Sequence, residues 1–182
     1  MKEGVYGVFK LLNISYKIIM ERIDKINYYL DIAETILERG TCLRKNYGAI
    51  IVKNDEIIST GYSGAPRGRI NCSDLGYCSK KKIFPDLRHG GYDACRSVHA
   101  EQNAMLSAAR KDMIGADLYL VAIRYDTSDY EVGATSCQMC RKLIINSGIK
   151  HVYIRINKTE YSVIDVNDWV ENDDLLNGII TY

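Results

Sequence analysis

The chain has 182 residues, of which 47% are apolar and 26% are charged, the balance of an ordinary globular domain. Its 24 basic and 23 acidic residues leave a formal charge of +1, which excludes a strong overall attraction to nucleic acid. Apolar runs such as residues 118–123 are too short to span a bilayer, and the start of the chain shows no secretory signal pattern. We therefore expect a cytoplasmic protein with neither a membrane nor a nucleic-acid partner.

The first 22 residues are predicted to lie outside the folded domain. They carry apolar residues without clear helix caps, and Met20 directly precedes a charged stretch that opens a helix. The first 19 residues are therefore interpreted as an extension or as an upstream reading of the start codon. Residues 23–170 are expected to form one domain, followed by a tail over residues 171–182.

The first half of this domain predicts a helix and a hairpin. Apolar side chains recur at helical spacing over residues 24–39. Residues 47–52 and 56–60 are compact apolar runs typical of strands, and Asn54-Asp55 between them indicates a hairpin turn.

Residues 61–96 form a long segment rich in glycine and cysteine, and a loop of that length in a compact domain is usually functional or held by a metal. Beyond it we predict a helix over residues 98–110, a strand over 116–123, a polar loop over 124–135, a helix over 137–147, and strands over 150–155 and 161–166. This alternation predicts an α/β fold in which one sheet lies between two layers of helices.

Two short motifs carry the chemistry, and each lies at a predicted helix start. The first is H-A-E at residues 99–101, and the second is C-Q-M-C at residues 137–140. Because residues three apart share one face of a helix, the sulfurs of Cys137 and Cys140 can point at one ion, and the helix N-terminus favours their thiolates. Together with the imidazole of His99 they leave one tetrahedral position of Zn²⁺ open, where a water molecule can lose a proton near neutral pH.

Glu101 follows this histidine by two residues and is not expected to be a ligand. Its predicted role is to carry a proton from the attacking water to a ring nitrogen and then to the departing amine. H-x-E followed by C-x-x-C is the signature of zinc deaminases that act on cytosine or adenine, whereas a lone C-x-x-C could be a redox pair or half of a structural zinc site. Ser136, preceded by Thr135, replaces the usual proline, and a hydroxyl is expected to cap the helix instead.

The residues around these motifs resemble the deoxycytidylate (dCMP) deaminases of the cytidine/deoxycytidylate deaminase superfamily, over about residues 24–168. The resemblance is carried by C-L-R at residues 42–44, G-A-I-I-V at 48–52, T-G-Y-S-G-A-P-R-G at 60–68, N-C at 71–72, H-A-E-Q-N-A at 99–104 and I-N-S-G-I at 145–149. The Gly-Tyr-x-Gly-x-Pro loop separates this family well from the deaminases of free cytidine and of transfer RNA. The resemblance implies a three-layer α-β-α, cytidine-deaminase-like fold around a central mixed five-stranded sheet.

The resemblance also implies a reaction and its regulation. The expected reaction converts dCMP into dUMP and ammonia at one catalytic zinc ion, and so supplies thymidylate synthesis. The family further implies a homohexamer that dCTP activates and dTTP inhibits.

A set of residues is expected to bind the substrate or an effector. Ser63 stands where the family usually has an asparagine that contacts the nucleotide, and Arg110 stands where the family has an arginine that links the regulatory and active sites. The full set is Asn46, Ser63, Arg67, Ala100, Arg110 and Tyr153, with Arg44, Lys45 and Arg69 as further candidates for binding phosphate. Solvated charges, a turn residue and core packing are the alternative roles for members of this set.

A second zinc ion with a structural role is predicted from the remaining cysteines. Some family members bind such an ion through residues that correspond here to Cys42, Cys72 and His89. Cys78 and Cys95 are further candidates, and four cysteines would close a structural site. The ion would hold the long loop in order; the alternative is four reduced, partly buried cysteines.

Two other functions stay open at this point. The first is an enzyme of the same fold acting on dCTP, guanine, a riboflavin precursor or adenosine in transfer RNA, although the near-neutral charge disfavours the RNA substrate. The second is a non-catalytic zinc module that serves DNA uptake or assembly, as in a family branch near competence operons. Glu101 argues against that module, because a purely structural zinc needs no proton carrier.

Overall fold

A computed structural model describes residues 22–85, 94–173 and 176. Of the sequence predictions, the N-terminal extension up to residue 21, His89 and most of the tail over residues 171–182 lie outside the described residues. Within the described part of the chain, no helix has the length and apolar character needed to cross a bilayer.

In the part of the chain that the structure describes, the predicted helices and strands occur in the predicted order, together with three short helices that the sequence did not predict. The helices are α1 (Lys25–Leu37), α2 (Cys72–Leu75), α3 (Ser79–Ile83), α4 (Ala100–Leu106), α5 (Arg110–Met113), α6 (Gln138–Ser147) and α7 (Val166–Glu171). The strands are β1 (Lys45–Lys53), β2 (Glu56–Tyr62), β3 (Asp117–Arg124), β4 (His151–Arg155) and β5 (Tyr161–Asp165). The predicted turn between β1 and β2 is confirmed: Asn54 and Asp55 both have positive φ, at 52° and 67°, as a tight hairpin requires.

The strands form one five-stranded sheet in the order β2-β1-β3-β4-β5. Strands β3 and β4 are parallel and are connected through α6, whereas the other three neighbouring pairs are antiparallel. The sheet is therefore mixed, as the resemblance implies. The parallel pair requires a crossover, and α6 fills it with the second motif at its start.

Helices cover both faces of this sheet. On one face, α1 packs against alternate residues of β1 and β3, among them Ile50 and Tyr119. On the other face, α4 and α6 cover the intervening residues, among them Ile51 and Leu118. This alternation follows from the two-residue period of a strand, and it confirms the predicted layer of helices on each side.

Two glycines allow the helices to approach the sheet closely. A Cβ atom at Gly48 would lie 2.1 Å from the carbonyl oxygen of Ala33 in α1. A Cβ atom at Gly61 would lie 2.2 Å from the carbonyl oxygen of Ala100 and 2.3 Å from the amide nitrogen of Ala104, both in α4. The absence of a side chain at Gly61 thus allows α4, the helix that carries the first motif, to lie close against β2.

The structure corrects the prediction of one continuous helix over residues 98–110. Helix α4 ends at Leu106, and α5 begins at Arg110 after a short break. At the break, the Ser107 hydroxyl donates to the carbonyl oxygen of Asn103 at 2.9 Å, a local contact that competes with helix continuation. Helix α7 was not predicted, because six residues are too few to show helical periodicity.

Candidate metal centre and its cavity

The first motif lies where α4 meets the end of β2. Gly64 and Val98 exchange two backbone hydrogen bonds, of 3.2 and 2.8 Å, and so hold the chain before α4 beside the chain after β2. His99 is the residue that precedes the first turn of α4, and its N–H donates to the side-chain oxygen of Gln102 at 3.2 Å. The backbone of His99 is therefore fixed from both sides.

The second motif lies at the N-terminus of α6. Cys137 is the N-cap residue, and Cys140 lies fully buried in the first turn. The Arg141 guanidinium donates to the carbonyl oxygen of Ser136 at 2.9 Å and fixes the chain that enters the helix. The predicted hydroxyl cap is wrong: among the described residues, no side-chain hydrogen bond caps α6, because Cys137 rather than Ser136 occupies the N-cap position.

The two motifs bring three metal-binding side chains together. The Nδ1 atom of His99 lies 3.4 Å from the Sγ atom of Cys137 and 3.4 Å from the Sγ atom of Cys140. The three atoms lie within 4.8 Å of one another. One imidazole nitrogen and two sulfurs at these separations fit a zinc ion, whose bonds to nitrogen and sulfur are about 2.0–2.3 Å long.

The electrostatics of this cluster favour a cation. The hydrogen bond from the Cys140 thiol lowers the pKa of Cys137 to about 4, and the hydrogen bond with His99 acts in the same direction. The Cys137–Cys140 hydrogen bond, together with burial, raises the pKa of Cys140. Burial lowers the pKa of His99, but the hydrogen bond to Cys137 and the charge of Glu101 outweigh it, so the net shift is upward. The Cys137–Cys140 pair thus favours a thiolate, which is the form that binds a metal.

Glu101 lies beside this cluster in the first turn of α4. Glu101 is only 2% exposed. Burial raises the pKa of its carboxyl, although the nearby His99 opposes the shift. A carboxyl group whose pKa is raised by burial can hold a proton for part of a reaction cycle, which suits an acid–base role.

The cluster opens into a cavity of about 500 Å³. Its lining includes His99, Glu101, Cys137, the predicted contact residues Ser63 and Ala100, and a group of cations: Arg44, Lys45 and Lys80. We call these three cations the basic wall. The cavity thus combines a metal-binding cluster, a buried carboxyl and a surface that attracts anions.

Four members of the predicted contact set lie elsewhere. Among the described residues, Asn46, Arg67, Arg110 and Tyr153 do not line the cavity. The Asn46 side chain accepts the N–H of Cys42 at 3.0 Å, and the Arg110 guanidinium donates to the carbonyl oxygen of Asn146 at 2.9 Å. Arg67 is exposed.

Tyr153 belongs to the opposite face of the sheet. It stacks on Tyr119, with ring centres 4.8 Å apart and planes 10° from parallel, in the core between the sheet and α1. The structure therefore places Tyr153 in aromatic packing rather than in the cavity.

Two charged cavity residues were absent from the sequence prediction. Lys80 comes from α3, inside the segment predicted as a long loop, and Glu131 comes from the polar loop between β3 and α6. Neither belongs to a motif. The one available signal for Glu131 was its place shortly before Cys137, since a segment that leads into a ligand must pass close to the metal centre.

The remaining four cysteines are neighbours but do not form a second cluster of the same kind. All four have free thiols. Burial raises the pKa of Cys72, and the nearby sulfurs of Cys42, Cys78 and Cys95 raise it further. Within the described ranges, however, His99, Cys137 and Cys140 are the only metal-binding group of three whose ligand atoms lie within 4.8 Å of one another. His89, the fifth predicted ligand, lies outside those ranges.

The chain is similar to several known proteins. A family model described as "Cytidine and deoxycytidylate deaminase zinc-binding region" matches residues 23–156. The deoxycytidylate deaminase of Mycobacterium phage D29 is 36% identical over 137 residues, which are 73% of this chain and 95% of that protein. The ComE operon protein 2 of Bacillus subtilis is 33% identical over 135 residues, which are 74% of this chain and 60% of that protein.

A solved structure supports the same relationship. The dCMP deaminase from cyanophage S-TIM5, in complex with dCMP and dUMP, is 26% identical and aligns with a TM-score of 0.50. The alignment covers 74% of this chain and 84% of that one.

Proposed function

Because the chain belongs to the cytidine and deoxycytidylate deaminase family, we propose that it hydrolyses dCMP to dUMP and ammonia. Its fold is the cytidine-deaminase-like sheet with flanking helices that the sequence predicts. The observation that carries the proposal is the cavity itself, which joins the metal-binding cluster and Glu101 to the basic wall. A nucleoside monophosphate has matching parts: a base to be deaminated and a phosphate to be held.

In this proposal, the catalytic zinc ion is held by His99, Cys137 and Cys140. When bound, zinc lowers the pKa of a water molecule and so supplies a nucleophile at neutral pH. The protein keeps the three ligands in place through the hydrogen bonds at the starts of α4 and α6.

Glu101 moves the protons. Its carboxylate accepts a proton from the attacking water and donates it to the ring nitrogen next to the reacting carbon. The oxygen of the water becomes bonded to that carbon. Glu101 then carries the second proton of that water from the new hydroxyl to the exocyclic amine. The bond between the carbon and the amine breaks, and the amine leaves as ammonia. One water molecule is consumed for each ammonia released, so the reaction is balanced.

The basic wall binds the phosphate in this proposal. Arg44, Lys45 and Lys80 all line the cavity, and a guanidinium or ammonium group forms strong hydrogen bonds to phosphate oxygens. This supports a nucleotide rather than a free nucleoside as the substrate. The overall charge of +1 offers no general attraction to polyanions, so these local cations provide the recognition.

The direct test is to incubate the purified protein separately with dCMP, dCTP and deoxycytidine and to follow ammonia release. We expect kcat/KM to be highest for dCMP and lowest for deoxycytidine, which lacks the phosphate. A protein that prefers deoxycytidine, or that releases ammonia from dCTP but not from dCMP, would contradict the proposal.

A second candidate function has one observation in its favour. The similarity to ComE operon protein 2 raises the alternative of a zinc module without catalytic activity. The two candidates differ in what they require of Glu101, because only an enzyme needs a buried proton carrier beside the metal. Zinc bound at full stoichiometry with no ammonia from any cytosine nucleotide would favour the module.

We also propose a second, structural zinc ion near Cys42, Cys72, Cys78, His89 and Cys95. Burial raises the pKa of Cys72 and of Cys95, and the sulfurs of neighbouring cysteines raise both further, which supports a shared site. Metal analysis of the purified protein should give two zinc ions per chain, and Cys72→Ser should reduce this to one while ammonia release persists. One zinc ion per wild-type chain would remove this part of the proposal.

Assembly, regulation and location are proposed from the family resemblance. We expect a homohexamer, which the molecular mass in solution tests directly. We further expect dCTP to raise and dTTP to lower the rate with dCMP. The free thiols of all six cysteines support a reducing compartment such as the cytoplasm.

A further inference from the structure

The loop between β3 and α6 folds back onto the sheet and places Glu131 in the cavity wall. The N–H of Arg124 donates to the carbonyl oxygen of Asp129 at 2.9 Å, and Tyr130 forms an isolated bridge with Ile123. The N–H of Glu131 itself donates to the carbonyl oxygen of Ala122 at 2.9 Å. The loop backbone is thus tied to β3 on both sides of Tyr130, so the position of Glu131 is determined by the sheet.

The Glu131 side chain is largely buried, and only one of its two carboxylate oxygens has a hydrogen-bond donor in the described part of the chain. Its side chain is 14% exposed, and its Oε1 atom accepts a hydrogen bond from the Lys45 ammonium at 2.6 Å. Its Oε2 atom is buried and has no hydrogen-bond donor among the described residues; the Arg124 guanidinium approaches it only to 3.9 Å. Because buried polar atoms are nearly always paired, an unpaired carboxylate oxygen in a ligand cavity calls for a donor from the ligand.

The chemistry of the cavity limits what this donor is. A phosphate dianion has no proton to donate and would be repelled by the carboxylate. The amine of the base must lie near Glu101 and the metal centre to be released. Glu131 is bonded to Lys45 of the basic wall, and in a nucleotide the group next to the phosphate is the sugar. The Ser63 hydroxyl, which also lines the cavity, already accepts the N–H of Tyr47 at 3.0 Å.

We infer that Glu131 is a specificity residue whose Oε2 atom accepts a hydrogen bond from the 3′-hydroxyl of the substrate sugar. This inference rests on the proposed function, since it places the sugar between the metal centre and the basic wall. The carboxylate also orients Lys45, so one side chain serves both the sugar and the cation beside the phosphate.

The test compares dCMP with 2′,3′-dideoxycytidine 5′-monophosphate, which lacks only the 3′-hydroxyl. The wild-type protein should prefer dCMP by about 10- to 100-fold in kcat/KM, the effect of a hydrogen bond to a charged group. In Glu131→Gln this preference should shrink to a few-fold, because the lost hydrogen bond to the 3′-hydroxyl affects dCMP alone, whereas any effect through Lys45 affects both substrates equally. A merely structural role would lower both activities together and leave the preference intact.

Asp129→Asn is the matched control, since it makes the same chemical change at an exposed position of the same loop. It should keep the wild-type preference. A wild-type protein that deaminates dCMP and its dideoxy analogue equally well would overturn the inference without any variant, as would an unchanged preference in Glu131→Gln. A wild-type protein that releases no ammonia from dCMP would overturn the proposed function together with the inference.

Discussion

The metal centre and the basic wall line the same cavity but are built in different ways. The metal centre and its carboxyl come from two short stretches, residues 99–101 and 137–140, each at the start of a helix. The basic wall comes from two adjacent residues, Arg44 just before β1 and Lys45 at its start, and from Lys80 in α3, which lies 35 residues after Lys45 in the chain. Metal ligands within one helical turn are visible in the sequence, whereas the basic wall was predicted only in part: Arg44 and Lys45 were candidates for binding phosphate, and Lys80 was not.

Loss of a metal ligand should have the largest effect, because the whole centre depends on it. Cys140→Ser replaces a buried sulfur that lies 3.4 Å from the imidazole of His99. We expect the catalytic zinc to be lost and ammonia release from dCMP to fall below detection. Metal analysis and a turnover assay measure the two effects.

Met139→Ser is the matched control for that change, since Met139 lies one position earlier in the same helical turn but is exposed. It should retain both metal and activity. Full activity in the Cys140→Ser protein would show that the reaction does not need the metal centre.

Removal of the Glu101 charge should have the next largest effect and should separate catalysis from metal binding. Glu101→Gln keeps the size of the side chain but cannot carry protons, so we expect kcat to fall about 100- to 10,000-fold. Zinc content should be unchanged. Glu56→Gln, at an exposed position on β2, is the control. Turnover that survives in Glu101→Gln would show that another group moves the protons.

Removing a cation of the basic wall should have a smaller effect, mainly on substrate binding. Arg44→Gln removes one cation from the cavity lining, and we expect kcat/KM for dCMP to fall about 10- to 100-fold, mostly through KM. The activity on deoxycytidine should change little, because that substrate has no phosphate. Arg69→Gln, at an exposed position outside the cavity lining, should leave both substrates unaffected. An equal loss for both substrates would mean that Arg44 does not meet the phosphate.

The contrast between the metal centre and the basic wall also explains which parts of the fold and of the site the sequence predicts. Helix and strand periodicity predicts one sheet between two helical layers, and the resemblance adds that the sheet is mixed. The two motifs together predict that His99 meets Cys137 and Cys140. Lys80 and Glu131 were missed because their positions depend on how α3 and the loop after β3 return to the cavity. Resemblance placed Tyr153 near the site, but the alternation of β4 turns its ring toward α1 instead.

The smallest expected effect concerns the packing that holds the metal centre in place. At Gly61 a Cβ atom would lie 2.2 and 2.3 Å from backbone atoms of α4, which cannot turn away as a flexible side chain can. Gly61→Ala should therefore lower the free energy of unfolding by about 1–3 kcal/mol and, by shifting α4, reduce turnover a few-fold. Thermal unfolding and the dCMP assay measure the two effects.

Gly64→Ala is the matched control for that packing, because the nearest atom to its Cβ is the Thr41 hydroxyl at 3.1 Å, which can move. It should lose less stability than Gly61→Ala and keep its turnover. If Gly61→Ala were as stable and as active as the wild-type protein, the depth of α4 would not be set by this glycine. The precision of the metal centre would then come from the hydrogen bonds around His99 and Ser136 alone.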